Sequence, residues 1–283
     1  MGKIESIKEG LGKVTQDMMS LVKVCLLSRK ASALPKPREE EMVILANGPS
    51  LQTTVSSHRD FLEGKALMAV NFFAVSEEFT QLKPEYYLIA DPLFWLLDDS
   101  REKLFGALAS KTDWPMNFFV PVKAFKDKRW QQMIAANPNI KVCRYNSTPI
   151  EGSRSLSHML YRQGLGVPRP HNVLIPSIAQ ALRMPFRRIY LAGADHSWLP
   201  EITVTDDNEV LMNQKHFYDR GKSKASGVKQ ENLNTARLHT ILFHMYTAFK
   251  AYFTLREYAG SLGKEIVNIT PGSYIDAFRR QKL

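Results

Sequence analysis

Two short stretches of the chain gather the groups best suited to moving a proton and holding charge: Lys215-His216-Phe217-Tyr218-Asp219-Arg220 and Gly193-Ala194-Asp195-His196-Ser197-Trp198. An imidazole titrates near neutral pH and can take a proton from a hydroxyl. Phenol, guanidinium and ammonium groups can hold the charge that develops on a departing phosphate. Transfer of a sugar from an activated donor needs both functions. His216 or His196 is therefore the candidate base, with Tyr218, Arg220 and Lys215 as candidate partners of the leaving group. The spacing does not choose between the two histidines, and each also has an ordinary structural reading. His239 and His244, in a long helical pattern, read as core or surface residues.

The remaining candidates stand where apolar runs end. Ile44-Leu45-Ala46 leads into Asn47-Gly48-Pro49-Ser50, where Gly48 permits a tight turn and Ser50 can cap a following helix whose free amides would face a phosphate. Asn47 supplies a donor and an acceptor for a sugar hydroxyl or base edge. A turn with an N-cap explains the same four residues without any ligand. They do not form a Walker A loop, because the Gly-Lys-Ser/Thr ending is missing. Asn71 ends the run Ala66–Val70, and Ala90-Asp91-Pro92 ends the next, so amide and carboxylate groups recur at successive ends. Pro170-His171-Asn172 opens the apolar helical segment 173–182, where Asn172 also suits simple capping. Gly193, Asp195 and Ser197 follow the run Arg188–Ala192. No His-rich or Cys-rich cluster has metal-ligand spacing, and Asp206-Asp207 reads as a solvated turn.

These groups need a scaffold that brings strand ends together. Apolar runs at 42–45, 66–70, 86–89, 117–120, 141–143, 188–192 and 265–268 alternate with helical patterns, which predicts a Rossmann-like α/β fold with a mostly parallel sheet. In such sheets ligands bind outside the carboxyl ends of the strands. Residues 42–283 form the predicted globular domain, with a polar lid at about 199–230 and a long helix at 233–262. Before it, Pro35, Pro37 and three glutamates mark 31–41 as a linker. Residues 1–30 read as an amphipathic helix: Ile4, Ile7, Leu11, Val14, Met18, Leu21 and Cys25 step by three and four. Lys3, Lys8, Lys13, Lys23, Arg29 and Lys30 surround that stripe, which suits packing on the body, self-association or an anionic membrane surface.

Composition sets wider bounds. With 283 residues, 44% of them apolar, the chain can bury one substantial core. Two cysteines, Cys25 and Cys143, make no disulfide framework, and no apolar run reaches membrane-spanning length, so a cytoplasmic and non-integral protein is expected. A formal charge of +10 favours anionic partners without choosing among them. No aromatic-interleaved motif for nucleic acid is present.

The order of these motifs resembles a known group. NGPSL after the first strand, Asn after the second, a polar pair opening the central helix and IYLAGAD beyond it are similar to the bacterial sialyltransferases of glycosyltransferase family 42. The same outline occurs in related DUF115 proteins, among them flagellin-modifying Maf transferases and hydroxymethylpterin diphosphokinase-like enzymes. The likeness runs from Met42 to Arg279 and includes the late segment Ile266-Val267-Asn268-Ile269-Thr270-Pro271-Gly272-Ser273. It implies a metal-independent inverting transferase with no cofactor, using a CMP-activated nonulosonic acid such as sialic acid. By position, Asn47, Gly48, Ser50 and Asn71 would contact the nucleotide or donor. His171 and Asn172 stand at the family's cytidine-contacting Thr-Ser-Gly, and His196 and Ser197 at an aromatic pair that includes a phosphate-holding tyrosine. His216 falls near the catalytic histidine, although another register sets Arg220 against the base. The reading is a glycosyltransferase of bacterial surface glycan assembly, acting on a glycan or glycolipid and peripheral on the inner face of the membrane. A pterin diphosphokinase-like phosphotransferase and a non-catalytic nucleotide- or glycan-binding protein are the alternatives.

Overall fold

The computed structural model of the chain describes residues 3–219, 222–230 and 234–283, with side chains from residue 10 onward. Eleven strands are present among them: β1 (Glu41–Leu45), β2 (Ala66–Val70), β3 (Tyr86–Leu88), β4 (Met116–Pro121), β5 (Ile140–Tyr145), β6 (Arg188–Ala192), β7 (Ile202–Val204), β8 (Val210–Met212), β9 (Ser226–Gly227), β10 (Glu265–Asn268) and β11 (Arg279–Arg280). Eight form one all-parallel sheet in the order β11-β10-β6-β1-β2-β3-β4-β5. The chain runs outward from β1 to β5 on one side and resumes at β6 on the other. The order therefore reverses between β1 and β6, where Leu45 pairs with Ala192. A crevice opens at such a reversal. The seven predicted strands all belong to this sheet, and the two-residue β11 completes it.

Past the charged first residues Glu41 and Arg188, the central strands β1, β2 and β6 are buried apolar runs, as strands covered on both faces are. Met42 and Ile44 of β1 enter one core while Val43 and Leu45 enter the other, as the two-residue period of a strand requires. Helices α2 (Leu51–Ser57), α3 (Arg59–Leu62), α4 (Glu78–Leu82), α5 (Leu93–Leu96), α6 (Asp98–Lys111) and α7 (Arg129–Ile134) cover the Val43 side. Helices α8 (Arg154–Arg162), α9 (Leu174–Arg183) and α10 (Leu238–Ser261) cover the Met42 side. The predicted lid folds as the small antiparallel sheet β7-β8-β9, whose Val210 and Met212 pack with Ala236 and with Ile241 and Met245 of α10 in a separate apolar cluster.

The amino-terminal helix α1 (Lys3–Leu27) is docked on the body with its polar face inward. Asp17 accepts from the Ser153 amide at 2.7 Å, Ser20 donates to the Glu151 carbonyl at 2.7 Å, and Ser28 donates to the Leu165 carbonyl. Ser20 is 1% exposed, whereas Leu11 and Met18 of the apolar stripe are 64% and 65% exposed. After α1, Ser32 exchanges two hydrogen bonds with Arg144 and so covers part of the edge strand β5. No helix of the described residues is long and apolar enough to cross a membrane.

Candidate active site

The adjoining ends of β1 and β6 are locked together through one carboxylate. Asp195 accepts from the Ser50 amide at 3.2 Å and from the Ser50 hydroxyl at 2.8 Å. It thereby covers the amide of the residue that precedes α2, while the Leu51 amide donates to the Gly48 carbonyl at 3.1 Å and the Ser50 side chain makes no cap of its own on that helix. Burial raises the pKa of Asp195, and the two Ser50 donors act against that rise. Gly48 donates to the Gly193 carbonyl at 2.9 Å. A Cβ at Gly48 would lie 2.0 Å from the Asp195 carboxylate and 2.5 Å from that carbonyl, so the close approach admits only glycine.

Over these ends lies a cavity of about 730 Å³, within the size range of small-molecule sites. Asn47, Gly48, Pro49, Asn71, Asp91, His171, Asn172, Gly193, Asp195, His196, Ser197 and His216 all line it. Ser50 and Tyr218 do not, for the reasons given by their packing, and Arg220 lies outside the described residues. Asn47 donates to the Val70 carbonyl at 3.1 Å, and its side-chain oxygen has no partner. Asn71, at φ 48°, accepts from the Ala90 amide at 3.3 Å, and Asp91 accepts from the Leu93 amide at 2.9 Å as the start of a turn. Asn213 Oδ1 and His171 Nε2 are likewise buried without a partner. Buried polar atoms are ordinarily satisfied, so three orphaned atoms around one cavity mark where a ligand's polar groups would fit.

The two candidate bases occupy different environments. His196 is 8% exposed, stacks on Trp198 at 4.1 Å, and shares its Nε2 with the Tyr252 hydroxyl at 2.5 Å and the Asn172 amide at 3.3 Å. Burial pulls its pKa down to about 3. It is a neutral, already engaged imidazole. Asn172 also donates to Tyr252 and accepts from the Ile175 amide at 3.2 Å, so it both caps α9 and holds this network.

His216 is half-buried on the lid side of the cavity. Its Nδ1 lies 3.3 Å from Asp219 Oδ2, and the same carboxylate oxygen accepts from the His216 main-chain amide at 2.8 Å. Burial lowers its pKa, and Asp219 pulls in the opposite direction. The contact assigns the Nδ1 proton to the carboxylate and leaves Nε2 to accept another. Tyr218 lies parallel to the imidazole at 5.0 Å and packs into the core beside Phe217, so it backs the histidine instead of facing the cavity. Phe217 donates its amide to the Asn47 carbonyl at 3.0 Å. Lys215 is held by Glu201 at 2.5 Å.

Neither a family model nor a curated protein matches the chain. Among solved structures it is similar to the Maf glycosyltransferase from Magnetospirillum magneticum AMB-1, at a TM-score of 0.51 and 12% identity over 94% of this chain and 38% of that one. The shared property is the fold. The chain spans well under half the length of that protein.

Several cavity groups have no signature in sequence. Asp219, which touches His216 and not the cavity itself, stands three residues beyond it, a spacing that a short turn closes. His244 lines the cavity and stacks on His171 at 4.4 Å, so the core-or-surface reading of that residue gives way to a place in the wall. Burial and the neighbouring His244 bring His171 to about 4. Lys123 comes from the short 3-10 helix Val122–Lys126 that follows β4, and Lys229 from the lid. Among the described residues no group of three His, Cys, Asp or Glu side chains is arranged to hold a metal.

Proposed function

We propose that the protein transfers a sugar from a nucleotide-activated donor to a hydroxyl acceptor, with His216 as the base. The observation that carries this reading is the His216–Asp219 pair at the cavity wall, which presents one imidazole nitrogen for a proton while the other is engaged. The acceptor oxygen attacks the anomeric carbon, its proton passes to His216 Nε2, and the bond from that carbon to the donor phosphate breaks. The nucleotide leaves with the electron pair, and configuration at the carbon inverts. His196 positions: through Tyr252 and Asn172 it holds the α9 side of the cavity. Lys123 and Lys229 at the wall suit an anionic donor and leaving group, whereas Lys215 is paired with Glu201.

The donor we propose is a CMP-linked nonulosonic acid, on the strength of the motif order from NGPSL to IYLAGAD. The orphaned Asn47 and Asn213 oxygens would accept from amino or hydroxyl groups of that donor. The acceptor is a glycan or glycolipid.

A thermal-shift series with CMP, CDP, UDP, GDP and ATP, each with and without magnesium, tests the nucleotide. A ligand at a hundredfold excess over its Kd stabilises the native state by about 2.7 kcal/mol. CMP should raise the midpoint without magnesium, and CMP-sialic acid should then be consumed by wild type and not by His216→Gln. A response confined to magnesium-ATP would replace this reading with phosphotransfer. Binding without turnover in either protein would leave a binding module.

A further inference from the structure

Helix α1 turns its apolar face away from the body. Asp17, Ser20 and Ser28 commit their polar groups to residues 148–165, so the helix is fastened polar side inward and cannot roll. Leu11, Met18, Val22 and Leu26 are left between 57% and 66% exposed.

Three features select what covers them. The exposed apolar residues from Leu11 to Leu26 spread over an arc of about 160° at the helical repeat, wider than the a/d seam of a two-stranded coil. Between residues 10 and 30 the only carboxylate is Asp17, which faces Ser153, while Lys13, Arg29 and Lys30 are exposed. From residue 10 onward the outer surface is thus apolar and basic, which complements an anionic interface, and across residues 1–30 six bases outnumber the three acids Glu5, Glu9 and Asp17. Finally, α10 exposes Phe243 and Tyr246 at 52% and 62% beside the residues that wall the cavity. One stretch of chain links the two exposures: Glu151, bonded to Ser20, pairs with Arg169, and His171 two residues on lies 6.1 Å from the Phe243 ring.

We propose that this surface docks on an anionic lipid bilayer, with α1 lying in the interface and Phe243 and Tyr246 of α10 as a second contact. The full chain is sedimented with phosphatidylcholine vesicles and with vesicles enriched in phosphatidylglycerol, beside the double variants Met18→Glu/Val22→Glu and Phe243→Ser/Tyr246→Ser. Wild type should bind the anionic vesicles at least about tenfold more strongly, and less at high salt. Each double variant should lose about tenfold of that binding at an unchanged unfolding midpoint, since the altered side chains are exposed. A wild type that ignores both vesicles overturns the proposal. So does a solution dimer, seen by light scattering, that Met18→Glu/Val22→Glu splits while anionic vesicles leave wild type in the supernatant.

Discussion

The main-chain amide of Phe217 donates to the carbonyl of Asn47 across 3.0 Å, fastening the residue beside the candidate base to the end of the first strand. The Phe217 ring is buried against Phe73, with centroids 5.3 Å apart. The lid is pinned to the body here, and the position of His216 follows from the pin. Phe217→Ala removes the ring and leaves a cavity at that junction. Trypsin cleavage at Lys215, Lys222, Lys224 or Lys229 should rise by about tenfold or more, because local opening becomes easier than global unfolding. Cleavage spread evenly over the chain would contradict the pin.

Asp219 acts on His216 in a direction that can be read from pH. Its carboxylate raises the pKa of His216 against the lowering by burial. Asp219→Asn should therefore move the acid limb of kcat to lower pH and reduce kcat by about 10- to 100-fold. A reduced rate with an unmoved limb would make Asp219 merely structural. His216→Gln should cost more, about 100-fold or beyond, with nucleotide affinity held within about threefold.

Stability should fall in acid through His196. Its folded pKa is about 3 against 6.5 for the free imidazole. Between those values the unfolded chain binds a proton that the native state refuses, so the contribution is full above pH 6.5 and declines as pH falls. At pH 5 the loss amounts to about 2 kcal/mol. His196→Asn removes the imidazole and keeps a residue that accepts the φ of 51° at this site. Denaturant unfolding at pH 7.5 and pH 5 should show the variant losing about 2 kcal/mol less than wild type over the interval. Equal losses would mean that the ring is not held neutral.

Two glycines should respond with opposite signs. Gly48→Ala drives a methyl onto the Asp195 carboxylate and the Gly193 carbonyl, at 2.0 Å and 2.5 Å, and should cost about 1–3 kcal/mol or more. Gly106 lies inside α6 with nothing within 4 Å of a built Cβ, so Gly106→Ala should stabilise by about 0.5–1 kcal/mol. Paired thermal melts decide it, and a neutral Gly48→Ala would show that the turn relaxes.

Most of the sheet was legible because buried parallel strands are continuous apolar runs, and 66–70 and 188–192 match the observed strands residue for residue. The pairing of β1 with β6 was not among the readings of the sequence; it belongs to the strand order of the assembled sheet. What was not legible depends on which way a side faces. The three-four spacing of α1 defines a stripe but not its direction, and only the bonds of Asp17 and Ser20 turn it outward. The sequence reading made Ser50 a cap and Tyr218 a phosphate ligand by type and neighbourhood, whereas Asp195 takes the donors of Ser50 and the ring of Tyr218 lies behind His216. Asn213 and His244 reach the cavity from the lid and from α10, whose approach is a property of the assembled fold.

The Asp195 carboxylate at the start of α2 has a consequence for any ligand. In nucleotide-binding sheets of this kind the first strand-to-helix turn commonly cradles a pyrophosphate. Here the chain carries its own anion at that spot, held by both donors of Ser50 and pressed against Gly48. An incoming anion would meet that carboxylate, so the first turn is closed to a second negative charge.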